Sequence, residues 1–131
     1  FLVCRSVSRI MKRQHYGRIV NIASIWSVIT KPGRAVYAAS KFGIVGMTKT
    51  LAADLGRDGI LVNAVSPGFI MTELTAQCLK PEEQEVLSEE VPLGRFGRPE
   101  EIAQVVLFLT SNNNTYISGQ NIVADGGFTS V

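Results

Sequence analysis

Tyr37 and Lys41 stand four residues apart in the run RAVYAASKFGIVGMTKTLAADL, which has the composition and length of one long helix. Residues at i and i+4 lie one above the other on a helix, so the phenol and the ammonium can reach the same small volume. A free phenol titrates near ~10 and is a poor proton shuttle at neutral pH, but a cation held beside it stabilises the phenolate. Each unit by which Lys41 lowers the Tyr37 pKa corresponds to ~1.4 kcal/mol. A few units would bring Tyr37 into working range as a general acid/base. The spacing alone recurs often by chance, so the surroundings must decide.

Ser24 precedes Tyr37 by thirteen residues and closes the apolar run RIVNIAS. That run has the length and β-branched content of a buried strand, and the carboxyl end of a parallel strand is where open α/β sheets place ligand chemistry. A second such run, ILVNAVS, ends in the Pro67-Gly68 turn of SPGFIMT, which carries exposed backbone groups and a threonine. Two strand ends and one helix face can therefore converge on one crevice. Small residues around the pair, Ala38, Ala39, Ser40 and Gly43, allow close approach of a flat ligand or of another helix.

The elements that must position these groups follow in helix–strand alternation. The chain opens on FLVCRSVSRIM, where Val3, Val7, Ile10 and Met11 already keep helical spacing without a cap, so the first residue reads as lying inside a helix and the chain as a fragment. Gly17 is the expected glycine after that helix. IWSVITKPGR reads as a loop, the long helix as Ala35 to Leu55, PGFIMTEL as a loop and KPEEQEVLSEE as a charged segment. Pro99 opens a helix with Ile102, Val105, Val106 and Leu109 in one stripe, and QNIVA is a third strand. This rhythm belongs to an α/β fold with a parallel sheet. No repeat, linker or low-complexity tract divides residues 1–131, which read as a single partial domain.

Composition removes several classes. The 131 residues carry 13 basic and 11 acidic side chains, a net charge of +2, with no long run of one sign. That gives no footprint for nucleic acid or an anionic membrane and favours a small molecule or another protein as partner. No apolar run reaches the ~18 residues of a membrane span, and no charged and apolar leader is present, so a soluble chain is expected. Cys4 and Cys78 show neither metal-ligand spacing nor a disulfide framework, which favours a reducing, cytoplasmic setting. The single His15 sits in a basic helix end and reads as a surface histidine, so no metal site is expected. Phosphate-cradling glycine motifs and the nucleophile elbow are absent, which leaves a hydrolase with no histidine base.

Ser24, the YAASK stretch, NAVSPGFIMTELT and ISGQNIVADGG, in that order, strongly resemble the short-chain dehydrogenases/reductases, most closely the 3-oxoacyl-(acyl-carrier-protein) reductase-like members. The resemblance covers essentially all 131 residues and corresponds to the C-terminal, catalytic part of a Rossmann-type doubly wound parallel sheet. It implies a carbonyl reduction or alcohol oxidation that uses NADP or NAD. Tyr37 would be the general acid/base, Ser24 would hydrogen-bond the substrate oxygen, and Lys41 would tune Tyr37 and hold the ribose hydroxyls. Pro67, Gly68, Ile70 and Thr72 would line the nicotinamide and its phosphate side. The substrate would be a small-molecule or carrier-bound carbonyl, possible classes being 3-oxoacyl thioesters, nucleotide sugars and simple alcohols, and the family habit of forming dimers and tetramers implies a homo-oligomer.

The chain departs from the family in three places. The glycine-rich cofactor half is missing, and the catalytic asparagine would fall upstream of Phe1. Many relatives carry glycine where Ser27 stands beside Trp26, a change expected to reshape the substrate mouth. Trp26 could stack on a ring or pack on the surface. Lys80, Arg95 and Arg98 could meet an acidic carrier or be solvated charges of a lid. A truncated chain that serves as an oligomerisation module is the rival reading.

Overall fold

The computed structural model describes all of residues 1–131. Five helices and three strands follow in the order α1 (Leu2–Gln14), β1 (Gly17–Ile22), α2 (Ala35–Leu55), β2 (Ile60–Pro67), α3 (Glu73–Cys78), α4 (Pro81–Glu89), α5 (Pro99–Thr110) and β3 (Asn121–Ala124). Short 3-10 turns occupy Ile25–Ser27, Gly56–Asp58 and Phe128–Ser130. The strands form one parallel sheet in the order β1-β2-β3, with Gly17 opposite Ile60 and Ala64 opposite Asn121. Both connections are helical crossovers, as a parallel sheet requires. The expected α/β architecture is thus the observed one.

The sheet is held by alternation. Ile60 and Val62 are fully buried and meet Ile19, Cys4 and Leu55, with Met47 and Leu51 of α2 and Val7 and Met11 of α1 packed around them. Each such side chain contributes about 1.5–3 kcal/mol by leaving water. Met47, Leu51 and Leu55 recur every four residues, so α2 turns one continuous stripe to the strands. A polar bridge crosses the same layer: Cys4 Sγ donates to Asn21 Oδ1 at 3.4 Å, and Asn21 Nδ2 donates to Thr48 Oγ1 at 2.9 Å. The bridge fixes the height of α1 and α2 against β1, because an unpaired amide there would be costly.

Alternate residues of β2 face the opposite side, where Asn63 grips the loop after α5. Its Nδ2 donates to the Ile117 carbonyl at 2.8 Å, and its Oδ1 accepts the Gln120 N–H at 3.1 Å. Asn114 closes that loop through Leu109 and Ile117, and so aims the chain into β3.

Two local readings need correction. The residue that ends α1 in the left-handed region is His15, at φ 50°, and not Gly17. Gly17 is required for space instead, since a Cβ there would lie 2.5 Å from Met11 Sδ. The segment from Met71 to Glu90, read as loop and charged stretch, contains α3 and α4. Thr72 caps α3 by accepting the Thr75 N–H at 3.1 Å, and Pro81 opens α4, where Glu83 accepts the Lys80 N–H at 2.8 Å. No helix is long and apolar enough to cross a membrane.

Candidate active site

Strand β1 ends at Ile22, and Ala23 N–H still donates to the Val65 carbonyl at 2.7 Å. By alternation, Ile22 turns its own carbonyl to the other side, where Lys41 Nζ donates to it at 3.2 Å. Lys41 thus ties α2 to the strand end two residues before Ser24. Its ammonium lies 5.6 Å from the centre of the Tyr37 ring, which is the helical stacking expected of i and i+4. The 3-10 turn Ile25–Ser27 packs against α2, so the serine turn and the tyrosine face lie in one region.

The hydrogen bonds leave two hydroxyl protons of the candidate site without an acceptor. Ser24 is buried and caps the 3-10 turn: its Oγ accepts the Trp26 N–H at 3.3 Å, while its hydroxyl proton has no acceptor. The Tyr37 hydroxyl has no hydrogen-bond partner, and the residue remains 43% exposed. Lys41 has one acceptor for three N–H donors. A hydroxyl with an uncommitted proton can bind and polarise an incoming oxygen or protonate it, and an ammonium with donors to spare can balance the charge left behind. No three His, Cys, Asp or Glu side chains gather anywhere in the chain.

The second strand end is shaped by contacts with β3. Gly68 N–H donates to the Ala124 carbonyl at 3.0 Å, and a Cβ on Gly68 would stand 2.7 Å from Asp125 Cα. Only glycine lets β2 and β3 run so close at this turn. Gly68, Ile70 and Thr72 line one open cleft with Arg34, Cys78 and Phe96, and Pro67 is the last residue of β2 leading into it. Thr72 spends its hydroxyl on capping α3 and on Thr75 Oγ1 at 2.9 Å. Arg34 was not singled out from the sequence. It lines this cleft and also the depression beside Tyr37, and its position three residues before the tyrosine, at the helix start, is the signal that could have found it.

Other expectations fare unevenly. Ser27 is buried, 5% exposed, and turns inward, so it does not line the mouth. Trp26 has Lys31 Nζ 5.3 Å from its ring centre. Arg95 is committed to Glu101 through two bonds of 2.7 and 2.9 Å, and Arg98 Nε lies 3.7 Å from the same carboxylate. The hydrogen bond from Arg95, followed by that from the Arg98 backbone, holds the Glu101 carboxyl at about 2. Arg95 is therefore not a free cation awaiting a carrier, whereas the Arg98 side chain is 70% exposed and shares a carboxylate already committed to Arg95. Cys4 and Cys78 are both free thiols.

Comparison with known proteins fits this geometry. A family model described as enoyl-(acyl carrier protein) reductase matches residues 1–129, and the chain belongs to the short-chain dehydrogenase/reductase family. Within it, the chain is similar to the 3-oxoacyl-[acyl-carrier-protein] reductase of Rickettsia prowazekii, at 44% identity over 131 residues, all of this chain and 54% of that protein. The corresponding reductase of Thermotoga maritima is 48% identical over 127 residues, 97% of this chain and 51% of the relative. Among solved structures, a gluconate 5-dehydrogenase from Burkholderia cenocepacia in complex with NADP and tartrate superposes with a TM-score of 0.92 at 35% identity, over 98% of this chain and 51% of that one. The chain spans about half the length of the curated relatives it matches.

Proposed function

We propose that the chain supplies the reaction centre of an NAD(P)-dependent oxidoreductase that interconverts a carbonyl and an alcohol, with 3-oxoacyl thioesters as the first substrate class to try. The observation that carries this is the union of Lys41 with the Ile22 carbonyl, which joins the Tyr37 face of α2 to the turn of Ser24. The residues present fit the nicotinamide-ribose end of a dinucleotide: Lys41 has donors to spare for ribose hydroxyls, and Gly68, Ile70 and Thr72 line an open cleft into which Pro67 leads. When bound, the nicotinamide supplies or accepts the hydride, which no side chain here can do.

In the reducing direction, Ser24 donates its free hydroxyl proton as a hydrogen bond to the substrate carbonyl oxygen and polarises it. Tyr37 gives its phenolic proton to that oxygen. Lys41, whose ammonium lies 5.6 Å from the ring centre, then balances the negative charge left on the phenolate. In the oxidising direction the same proton returns to Tyr37. The relatives' names support the thioester assignment, and the name of the gluconate 5-dehydrogenase supports a hydroxy acid as the competing class.

The test is hydride transfer followed at the nicotinamide absorbance, with NADPH and NADH each offered a 3-oxoacyl thioester and a keto sugar acid. Reduction of the thioester in preference supports the reading, and no oxidation of either cofactor by any carbonyl would overturn it. A second reading, self-association, draws on α5, which leaves Leu107 61% and Phe108 45% exposed. Light scattering that gives a monomer at tens of micromolar would dismiss it.

A further inference from the structure

Behind Ser24 lies a closed ring of three polar side chains from three distant parts of the chain. Ser27 Oγ is 2.9 Å from Ser66 Oγ, Ser66 Oγ donates to Asn121 Oδ1 at 2.7 Å, and Asn121 Nδ2 donates to Ser27 Oγ at 3.3 Å. A hydroxyl has one proton. Since that of Ser66 goes to Asn121, the proton of Ser27 must go to Ser66. The ring therefore runs in one direction, each serine giving one bond and accepting one, the arrangement in which neighbouring bonds polarise one another. Ser66 is completely buried and Ser27 nearly so, with relative exposures of 0% and 5%. Water cannot stand in for a lost member without a cavity.

The ring's anchors are the two turns of the candidate site. Ser27 is the last residue of the 3-10 turn that Ser24 caps, and its N–H donates to the Ser24 carbonyl at 2.8 Å. Ser66 directly precedes Pro67 and Gly68. Asn121 begins β3, whose far end holds Gly68 through Ala124. No other side-chain hydrogen bond joins the serine turn to the end of β2. A glycine at position 27 could not make it.

We propose that Ser27, Ser66 and Asn121 are positioning residues: their ring locks the turn of Ser24 to the Pro67–Gly68 turn, so that the group orienting the substrate oxygen and the wall of the nicotinamide cleft keep one spacing. The catalytic part of this inference rests on the oxidoreductase reading, and the test separates the two.

Hydrogen exchange on the full chain reads the lock without any need for activity. Loss of one or two buried hydrogen bonds, about 1 kcal/mol each, is expected to speed exchange about tenfold. In both Ser27→Ala and Asn121→Ala this acceleration should occur at residues 25–28 and at 68–70 together, leaving α5 unchanged. Asn121→Ala, at a part-exposed site, serves where Ser27→Ala does not fold. Acceleration confined to the substituted element overturns the lock. Where wild type reduces a carbonyl, Ser27→Ala should lower kcat about tenfold with the cofactor KM within about twofold. In a Ser24→Ala background the same change should cost less than about twofold, because a positioning residue acts only through the group it positions. An equal loss in both backgrounds overturns the assignment. Absence of reduction in wild type sinks the oxidoreductase reading alone, and exchange still decides the ring.

Discussion

Ile60, Val62 and Ala64 of β2 are wholly buried, whereas neither α3 nor α4 contains one buried residue. The two regions are neighbours in sequence and both border the candidate site. The first, with β1, α2 and the serine turn, is fixed by apolar packing and by polar pairs that cross the layer. The second is an arch held chiefly at its neck. There Met71 N–H donates to the Gly97 carbonyl and Gly97 N–H to the Phe69 carbonyl, both at 2.9 Å, while the Phe69 and Phe96 rings stack at 5.7 Å. Arg95 and Glu101 clamp the same point. The difference teaches how labour would be divided: the groups proposed to react stand on the over-determined layer, and the residues that would meet a variable substrate stand on a span with few internal contacts.

The contrast can be broken or sharpened by substitution. The largest expected effect is on chemistry, with Lys41→Ala lowering turnover about 10²- to 10³-fold, as for loss of one preorganised charge, and weakening cofactor binding in calorimetry. Thermal unfolding should change little, since the ammonium has only the Ile22 carbonyl as its partner. Next comes Ile60→Ala, which empties the centre of the packed layer and should cost about 2–5 kcal/mol in urea unfolding.

A pH effect follows at the neck of the arch. The folded Glu101 pKa is depressed to about 2, so its stabilising contribution is fully present above the ordinary carboxylate value of 4.5 and is lost as pH falls through about 2. Once corrected for the intrinsic pH dependence of amide exchange, protection in residues 71–96 should fall between those limits in wild type. In Glu101→Gln it should be lower at neutral pH already and lose that pH dependence. Equal profiles for the two proteins would remove the clamp from the account. The smallest effect is expected on the arch itself: Val86 is 59% exposed, and Val86→Ala should alter stability by less than about 0.5 kcal/mol.

Legibility in the sequence followed the same divide. The bounds Ala35–Leu55 of α2 and the three strand cores could be read directly, because long periodic and β-branched runs leave little choice. The helices α3 and α4 could not. Each is short, and their start signals, Thr72 and Pro81, sit in a stretch whose charges suggested only a solvated segment. At the site, the Tyr37–Lys41 stacking was legible since helical geometry fixes it. The inward turn of Ser27 was not, because its partners are 39 and 94 residues away and only the folded sheet brings them together. Arg95 was missed for a more local reason: its charge looked free until the first turn of α5 brought Glu101, six residues on, beside it.

The most direct test of the central claim, that Tyr37 is the proton donor of this site, is turnover of Tyr37→Phe measured beside its cofactor affinity. The ring and its packing persist in phenylalanine and only the uncommitted hydroxyl is lost. Turnover should fall about 10²- to 10⁴-fold, the range for removing a general acid, with cofactor affinity within about threefold of wild type. Turnover within a few-fold of wild type would contradict the assignment and move the reaction away from the α2 face.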